Sequence, residues 1–192
     1  MTAAKREEID FLRELRLFRG MAEDNFEALL QPAFLQRFPP HVVLIRQGDP
    51  ADFLHIVLDG LLEHFAVHEQ REYGLFLTGP GEVFPLASVI GERPCIASVR
   101  VIEPSQVLML PTGVFRAVFA RDPAFAQAAA MELAASSRET TKELASQKMR
   151  PSSERLANWI LRQMAHDGTD GTLTLRIDKR TLASLIGTTP EN

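Results

Sequence analysis

The sequence of 192 residues has a single cysteine, Cys95, one tryptophan and one tyrosine. One cysteine excludes an internal disulfide and any four-cysteine zinc or iron–sulfur site. No apolar run approaches the ~20 residues needed to cross a bilayer, so no membrane partner is expected. The amino terminus, Met1-Thr2-Ala3-Ala4-Lys5-Arg6-Glu7-Glu8, lacks the apolar core of a signal peptide. These absences predict a cytoplasmic protein. Excess charge is missing as well: 21 Lys+Arg against 25 Asp+Glu leave a net charge of −4, which does not advertise nucleic-acid binding. Nor is there a Ser/His/Asp or Cys/His arrangement, a metal-ligand spacing or a phosphate loop, so an enzyme is not expected.

What is present changes texture along the chain. Residues Glu7–Phe18 carry Ile9, Phe11, Leu12, Leu15 and Leu17 at helical spacing, and Met21–Leu30 reads as a second short helix. Pro32, Pro39 and Pro40 then break helix. From Phe34 to Leu110 short apolar runs alternate with turns: Phe34–Phe38, Val42–Arg46, Phe53–Leu58, Leu61–Val67, Tyr73–Leu77, Cys95–Ile102 and Val107–Leu110. Many short strands with regular turns predict an antiparallel roll, barrel or sandwich. Pro85–Ile90 interrupts them as a short helix.

Thr112–Arg121 is helical by pattern. Pro123 then opens a run to about Met149 without an internal Gly or Pro. Ala126, Ala130, Leu133, Ser137, Thr140 and Leu144 recur three and four apart, a coiled-coil seam. A helix of ~25 residues is ~40 Å long, more than a compact domain needs for its own core. A homodimer helix joining two domains is the economical reading; a helix folded back on its own domain is the other. Pro151 ends it, Ser152–Ala165 is a further helix, and Leu173–Ile177 alternates as a short strand.

Asp178–Gly187 reads as a capped short helix followed by a glycine turn, and Thr189-Pro190 as a new N-cap with proline at the first helical position. Ala183 is small where two helices would cross. This is the start of a helix-turn-helix, ending where the DNA-reading helix would begin. The plainer alternative is an ordinary capped helix end. Charge adds nothing to the DNA reading: within 151–192, Arg155, Arg162, Arg176, Lys179 and Arg180 face Glu154, Asp167, Asp170, Asp178 and Glu191.

Val43-Leu44-Ile45-Arg46-Gln47-Gly48-Asp49-Pro50-Ala51-Asp52-Phe53-Leu54-His55-Ile56-Val57-Leu58-Asp59-Gly60 resembles a strand–turn–strand signature of the cyclic-AMP receptor/fumarate–nitrate reduction (CRP/FNR) family of bacterial transcription regulators. Gly81-Glu82-Val83-Phe84, Ser153-Glu154-Arg155-Leu156-Ala157 and Thr189-Pro190-Glu191-Asn192 are similar to three further family segments. Gly81–Leu110 looks most like the branch associated with nitric oxide and denitrification control. The resemblance implies an α+β fold: a cyclic-nucleotide-binding-type β-roll (1–122), a dimerisation helix (123–150) and an incomplete winged helix-turn-helix (151–192). It implies double-stranded promoter DNA, a second copy and RNA polymerase as partners. The expected DNA contacts are Lys179, Arg180, Thr189 and Glu191, with Glu191 accepting from a base edge. Without the rest of that helix, the chain should bind DNA weakly or not at all.

The effector is left open. The family's nucleotide site would fall on Gly81, Glu82, Arg93, Cys95, Ile96, Thr140 and Thr141. Cys95 and Ile96 stand where nucleotide-binding members have an arginine-serine pair, and neither neutralises a phosphate. Pro85 removes one amide at the short helix's start. Arg93 can substitute only if the loop is rearranged. Haem is the alternative, with His41, His55, His64, His68 and Cys95 as candidate ligands and no family ligand motif. His55 reads as a core or edge residue, and His64 and His68 as exposed hairpin residues. A competing class is a stand-alone cyclic-nucleotide- or haem-binding module without DNA function.

Overall fold

The computed structural model describes residues 3–167 and 173–189, with side chains for 8–164 and 173–189. Helix α1 (Ala3–Glu14), a 3-10 turn (Arg16–Phe18) and α2 (Glu23–Leu30) precede the strands. Strands β1 (Phe34–Phe38), β2 (Val43–Ile45), β3 (Phe53–His68), β4 (Arg71–Thr78), β5 (Val83–Phe84) and β6 (Ser98–Pro111) form one antiparallel sheet, rolled on itself. Its path runs β1-β6-β3-β4; β2 adds to β6 and β5 to β3. The short helix α3 (Leu86–Gly91) follows β5, and α4 (Thr112–Arg121), α5 (Pro123–Met149), α6 (Ser152–Asp167) and α7 (Lys179–Leu185) complete the order. None of the described helices is long and apolar enough to cross a membrane.

Two expected hairpin turns are bends inside long strands. Asp59-Gly60 does not separate two strands: β3 runs unbroken through it for 16 residues. Opposite it, Glu103-Pro104-Ser105 lies within β6. Gly60 has φ 98, and a Cβ there would lie 2.6 Å from Ser105 Cα and 2.7 Å from the Pro104 carbonyl oxygen. Glycine therefore lets two strands cross closely while the register shifts around Asp59 and Leu61. The sequence pattern of turn residues is the same for a bend and a turn, and only the partner strand distinguishes them.

The two faces of β3 build two cores. Leu54 and Ile56, with Leu108 and Leu110 of β6, meet Leu12, Leu17, Phe18, Phe26, Leu29, Phe115, Val118, Phe125 and Ala129 from the helices. Burying such side chains stabilises by about 1.5–3 kcal/mol each. Val57 and Leu62 instead face the inside of the roll with Ile45, Phe84, Cys95, Val99 and Val101. Helix α5 belongs to the first core only at its start: Phe125 and Ala129 are buried, whereas most side chains beyond Met131 are exposed.

The expected strand Leu173–Ile177 does not form: 173–176 are irregular and no ladder includes them. Its alternation lacks a partner strand, and an isolated strand leaves its backbone groups unpaired. Helix α7 forms as read, with the Asp178 carboxylate accepting from the Thr181 N–H at 2.7 Å. That contact, with the Thr181 side chain, holds the Asp178 carboxyl below the usual range. The helix exits through Gly187 at φ 68, with the Thr188 N–H donating to the Ala183 carbonyl at 2.9 Å. This is the left-handed glycine exit its sequence calls for. Arg155 of α6 closes the same end, donating to the carbonyls of Ile186 (2.6 Å) and Gly187 (2.9 Å).

Candidate functional site

The segment from β4 to β6 carries the candidate effector residues. Gly81 adopts φ 86 in a turn, and its N–H donates to the Val57 carbonyl at 2.8 Å. Glu82 lies before β5 rather than at the start of α3, and its carboxylate accepts from the Gly79 N–H at 2.6 Å. The residues that open α3 are Pro85, which has no N–H, and buried Leu86. The pair Gly81-Glu82 therefore shapes a turn, and the acid is turned back on that turn.

Cys95 and Ile96 diverge. Cys95 is 3% exposed and belongs to the roll's inner core. The Gly48-Asp49 turn holds it there: Gly48 N–H donates to the Cys95 carbonyl (2.8 Å), and Cys95 N–H donates to the Asp49 carbonyl (2.9 Å). Burial raises the Cys95 thiol pKa, reinforced by the negative charges of Asp49 and Asp52, so the thiol stays protonated. Ile96 is 82% exposed. Arg93 is exposed at the end of the α3 turn, its backbone N–H donating to Ser88. No guanidinium among these residues enters the inner core.

The histidines separate in a way the sequence did not indicate. His41 and His68 are exposed. His55 and His64 are both buried, which corrects the exposed position expected for His64. The His55 ring stacks on Phe84 with centroids 5.0 Å apart. The His64 ring stacks on Phe76 at 4.2 Å and meets Phe84 edge-on at 5.2 Å. His55 Nδ1 and His64 Nε2 have no hydrogen-bond partner. Burial lowers their pKa values to about 4 and about 3, so both rings are neutral. His64 was misread because β3 continues past Gly60 and keeps it on the inner face, beside Leu62. Either ring becomes a haem ligand only if the Phe84 stack opens. The described residues contain no group of three or more metal-ligating side chains.

Thr140 and Thr141 lie exposed on α5, far along the chain from α3, and each hydroxyl donates to the carbonyl four residues back, Ser136 (3.0 Å) and Ser137 (2.9 Å). Along the expected seam, Ala126 and Leu133 are half-buried, while Ala130, Ser137, Thr140 and Leu144 are exposed. Lys179, Arg180 and Thr189 are exposed. Pro190, Glu191 and Asn192 lie outside the described residues, as does most of the His166–Thr172 turn. Two residues the sequence reading passed over stand out: Gly74 on β4 and Arg100 on β6. Arg100 pairs with Glu63 (2.7 Å) and Glu72 (2.5 Å) and stacks over the Phe65 ring. A charged residue alternating with Val99 and Val101 was the available signal.

An antiparallel roll with a short helix between its last two strands, closed by helices at one face, is the architecture of this part of the chain. Residues 35–122 match the family model described as cyclic nucleotide-binding domain. Over 176 residues the chain is 29% identical to the cyclic AMP receptor protein of Thermus thermophilus, covering 91% of this chain and 80% of that protein. FixK2 of Bradyrhizobium japonicum superposes with a TM-score of 0.76 at 18% identity, over 83% of this chain and 79% of that one. The c-di-GMP-responsive global regulator CLP of Xanthomonas campestris superposes with a TM-score of 0.74 at 20% identity, over 88% of this chain and 87% of that one. At those identities the two structures speak for the fold. Residues 35–122 are thus similar to cyclic nucleotide-binding domains, and the chain is similar in sequence to a cyclic AMP receptor protein and in fold to FixK2 and CLP. Of these, the Thermus thermophilus protein is named as a receptor and CLP as a regulator.

Proposed function

We propose that this protein is a cytoplasmic, homodimeric transcription regulator whose β-roll (1–122) senses a small effector and whose C-terminal winged helix (151–192) binds promoter DNA. One observation carries the reading: a 27-residue helix leaves the sensor core, runs on largely exposed, and leads to a capped helix with a left-handed glycine exit. Exposed Ala130, Ser137, Thr140 and Leu144 are free to meet a second copy, with Ala126 and Leu133 continuing the seam. Lys179, Arg180, Thr189 and Glu191 contact DNA in this reading, and RNA polymerase is the partner of the DNA-bound dimer.

The effector is not held as a cyclic phosphate by an arginine at Cys95. That position is a protonated thiol in an apolar core, and Glu82 is engaged with Gly79. A signal acts instead around α3, Arg93 and Ile96, against the inner core at Phe84. Displacing Phe84 shifts β3 through its pairing with His55 and changes how the α5 helices meet.

Selection from a randomised duplex library with the protein from its natural reading frame tests the regulator. Enrichment of a two-fold-related motif with half-sites about one helical turn apart supports it. Failure to enrich any sequence, with a dimer present, favours a sensor module without DNA function.

A further inference from the structure

Glycine is a poor strand residue, yet Gly74 sits within β4. It has no positive φ, so its backbone does not require glycine. Space does. A Cβ at Gly74 would come within 2.8 Å of Glu63 Oε1, 3.3 Å of Ser184 Oγ and 3.4 Å of Leu185 Cδ2. Glu63 cannot simply swing aside. It is 1% exposed, and its other carboxylate oxygen accepts from Arg100 Nε at 2.7 Å. The missing side chain thus admits α7 against the outer face of the roll.

Once admitted, α7 is held at two places. The Gly74 N–H donates to Ser184 Oγ at 2.6 Å. The Arg176 guanidinium, just before the helix, grips Glu103 of β6, with Nε donating to both carboxylate oxygens at 3.0 and 2.9 Å. Ala183, Leu185 and Ile186 are buried. The floor beneath is the ion pair of Glu63 with Arg100, which also binds Glu72 of β4.

We infer that the outer face of β3 and β4, with Glu103 of β6, is a docking surface for this chain's own segment 176–188, which latches α7 in cis onto the sensor roll. Among the described strands, β4 is an edge strand that pairs with β3 alone. Movement of the β3–β4 hairpin and departure of α7 are therefore one event, because Gly74 and Glu72 belong to that edge. The state of the sensor reaches the C-terminal segment through β4 as well as along α5. The latch is independent of what the segment binds once released, so it stands or falls apart from the DNA reading.

Hydrogen–deuterium exchange on the whole chain tests it, comparing wild type with Gly74→Val, Glu103→Arg, Arg176→Glu and the Glu103→Arg/Arg176→Glu double variant. Each single variant is expected to speed exchange of the Leu182, Ile186 and Thr188 amides by at least about tenfold, while amides of Leu54 and Leu110 stay protected. The double variant should return α7 to within about threefold of wild type. Unchanged α7 exchange in both Gly74→Val and Glu103→Arg would overturn the latch and assign its protection to α6 alone. So would an effect of Glu103→Arg that Arg176→Glu leaves unrelieved. Loss of protection at Leu54 and Leu110 in Gly74→Val would mark a misfolded roll, and the charge-reversal pair then decides.

Discussion

The Asn25 side-chain amide donates to the Asp122 carboxylate at 2.8 Å, joining α2 to the residue that begins α5, 97 positions later. The same carboxylate accepts from the Phe125 N–H (3.0 Å) as an N-cap and from the Ala22 N–H (3.1 Å). One buried side chain thus starts the long helix and fixes it to the first helical layer. Its pKa is lowered, first by the Phe125 N–H and then by Asn25.

Replacing Asp122 by Ala should destabilise the chain by about 1–3 kcal/mol, because a cap is lost and two further donors lose their partner. The folded-state pKa lies below the unfolded value of 3.8, so this contribution is present above about 3.8 and is lost as pH falls through the folded value. Urea midpoints at pH 7 and pH 3 should therefore differ less in Asp122→Ala than in wild type. An equal difference would show that the carboxylate's charge does not matter to the fold.

The two inner histidines predict a different acid response. Their pKa values fall from 6.5 in the unfolded chain to about 4 for His55 and about 3 for His64. Stability from keeping them neutral is complete above about 6.5 and declines as pH drops towards 4 and 3, because only the unfolded chain takes up protons there. His64→Leu should flatten the fall in urea midpoint between pH 7 and pH 5. A slope as steep as wild type would mean that His64 is not buried neutral.

Calorimetric titration with cyclic AMP should give no saturable heat. Cys95 and Ile96 supply no charge, and the Glu82 carboxylate accepts from the Gly79 N–H. Micromolar binding, about −8 kcal/mol, would require a cation at the phosphate, with Arg93 the nearest in sequence. Loss of such binding in Arg93→Ala would then identify it.

On α5, Leu144 is 52% exposed on the expected seam. Leu144→Glu should shift sedimentation from dimer to monomer, because a charge at that position is left without water or a partner in the seam. The roll should keep its thermal midpoint, since Leu144 lies outside both cores. A variant that remains dimeric would place the interface elsewhere.

The strands, the long helix and the α7 cap were legible because each rests on local rules. Alternation marks half-buried strands, the stretch from Pro123 to Met149 has no breaker, and Asp178 and Gly187 carry their own capping chemistry. The misread parts all depend on a neighbour distant in sequence. Asp59-Gly60 became a bend because Ser105 lies against it; His64 became buried because β3 runs on past that bend. Cys95 turned inward while Ile96 turned out because Gly48 and Asp49 bind the Cys95 backbone. Leu173–Ile177 stayed irregular for want of a strand to pair with. By itself the sequence determined where the helices lie, where most of the strands run and how α7 is capped, since those preferences act within a few residues. Tertiary structure alone decided which polar side chains lost water, and that Gly74 is small to receive α7, because burial depends on what packs from elsewhere in the chain.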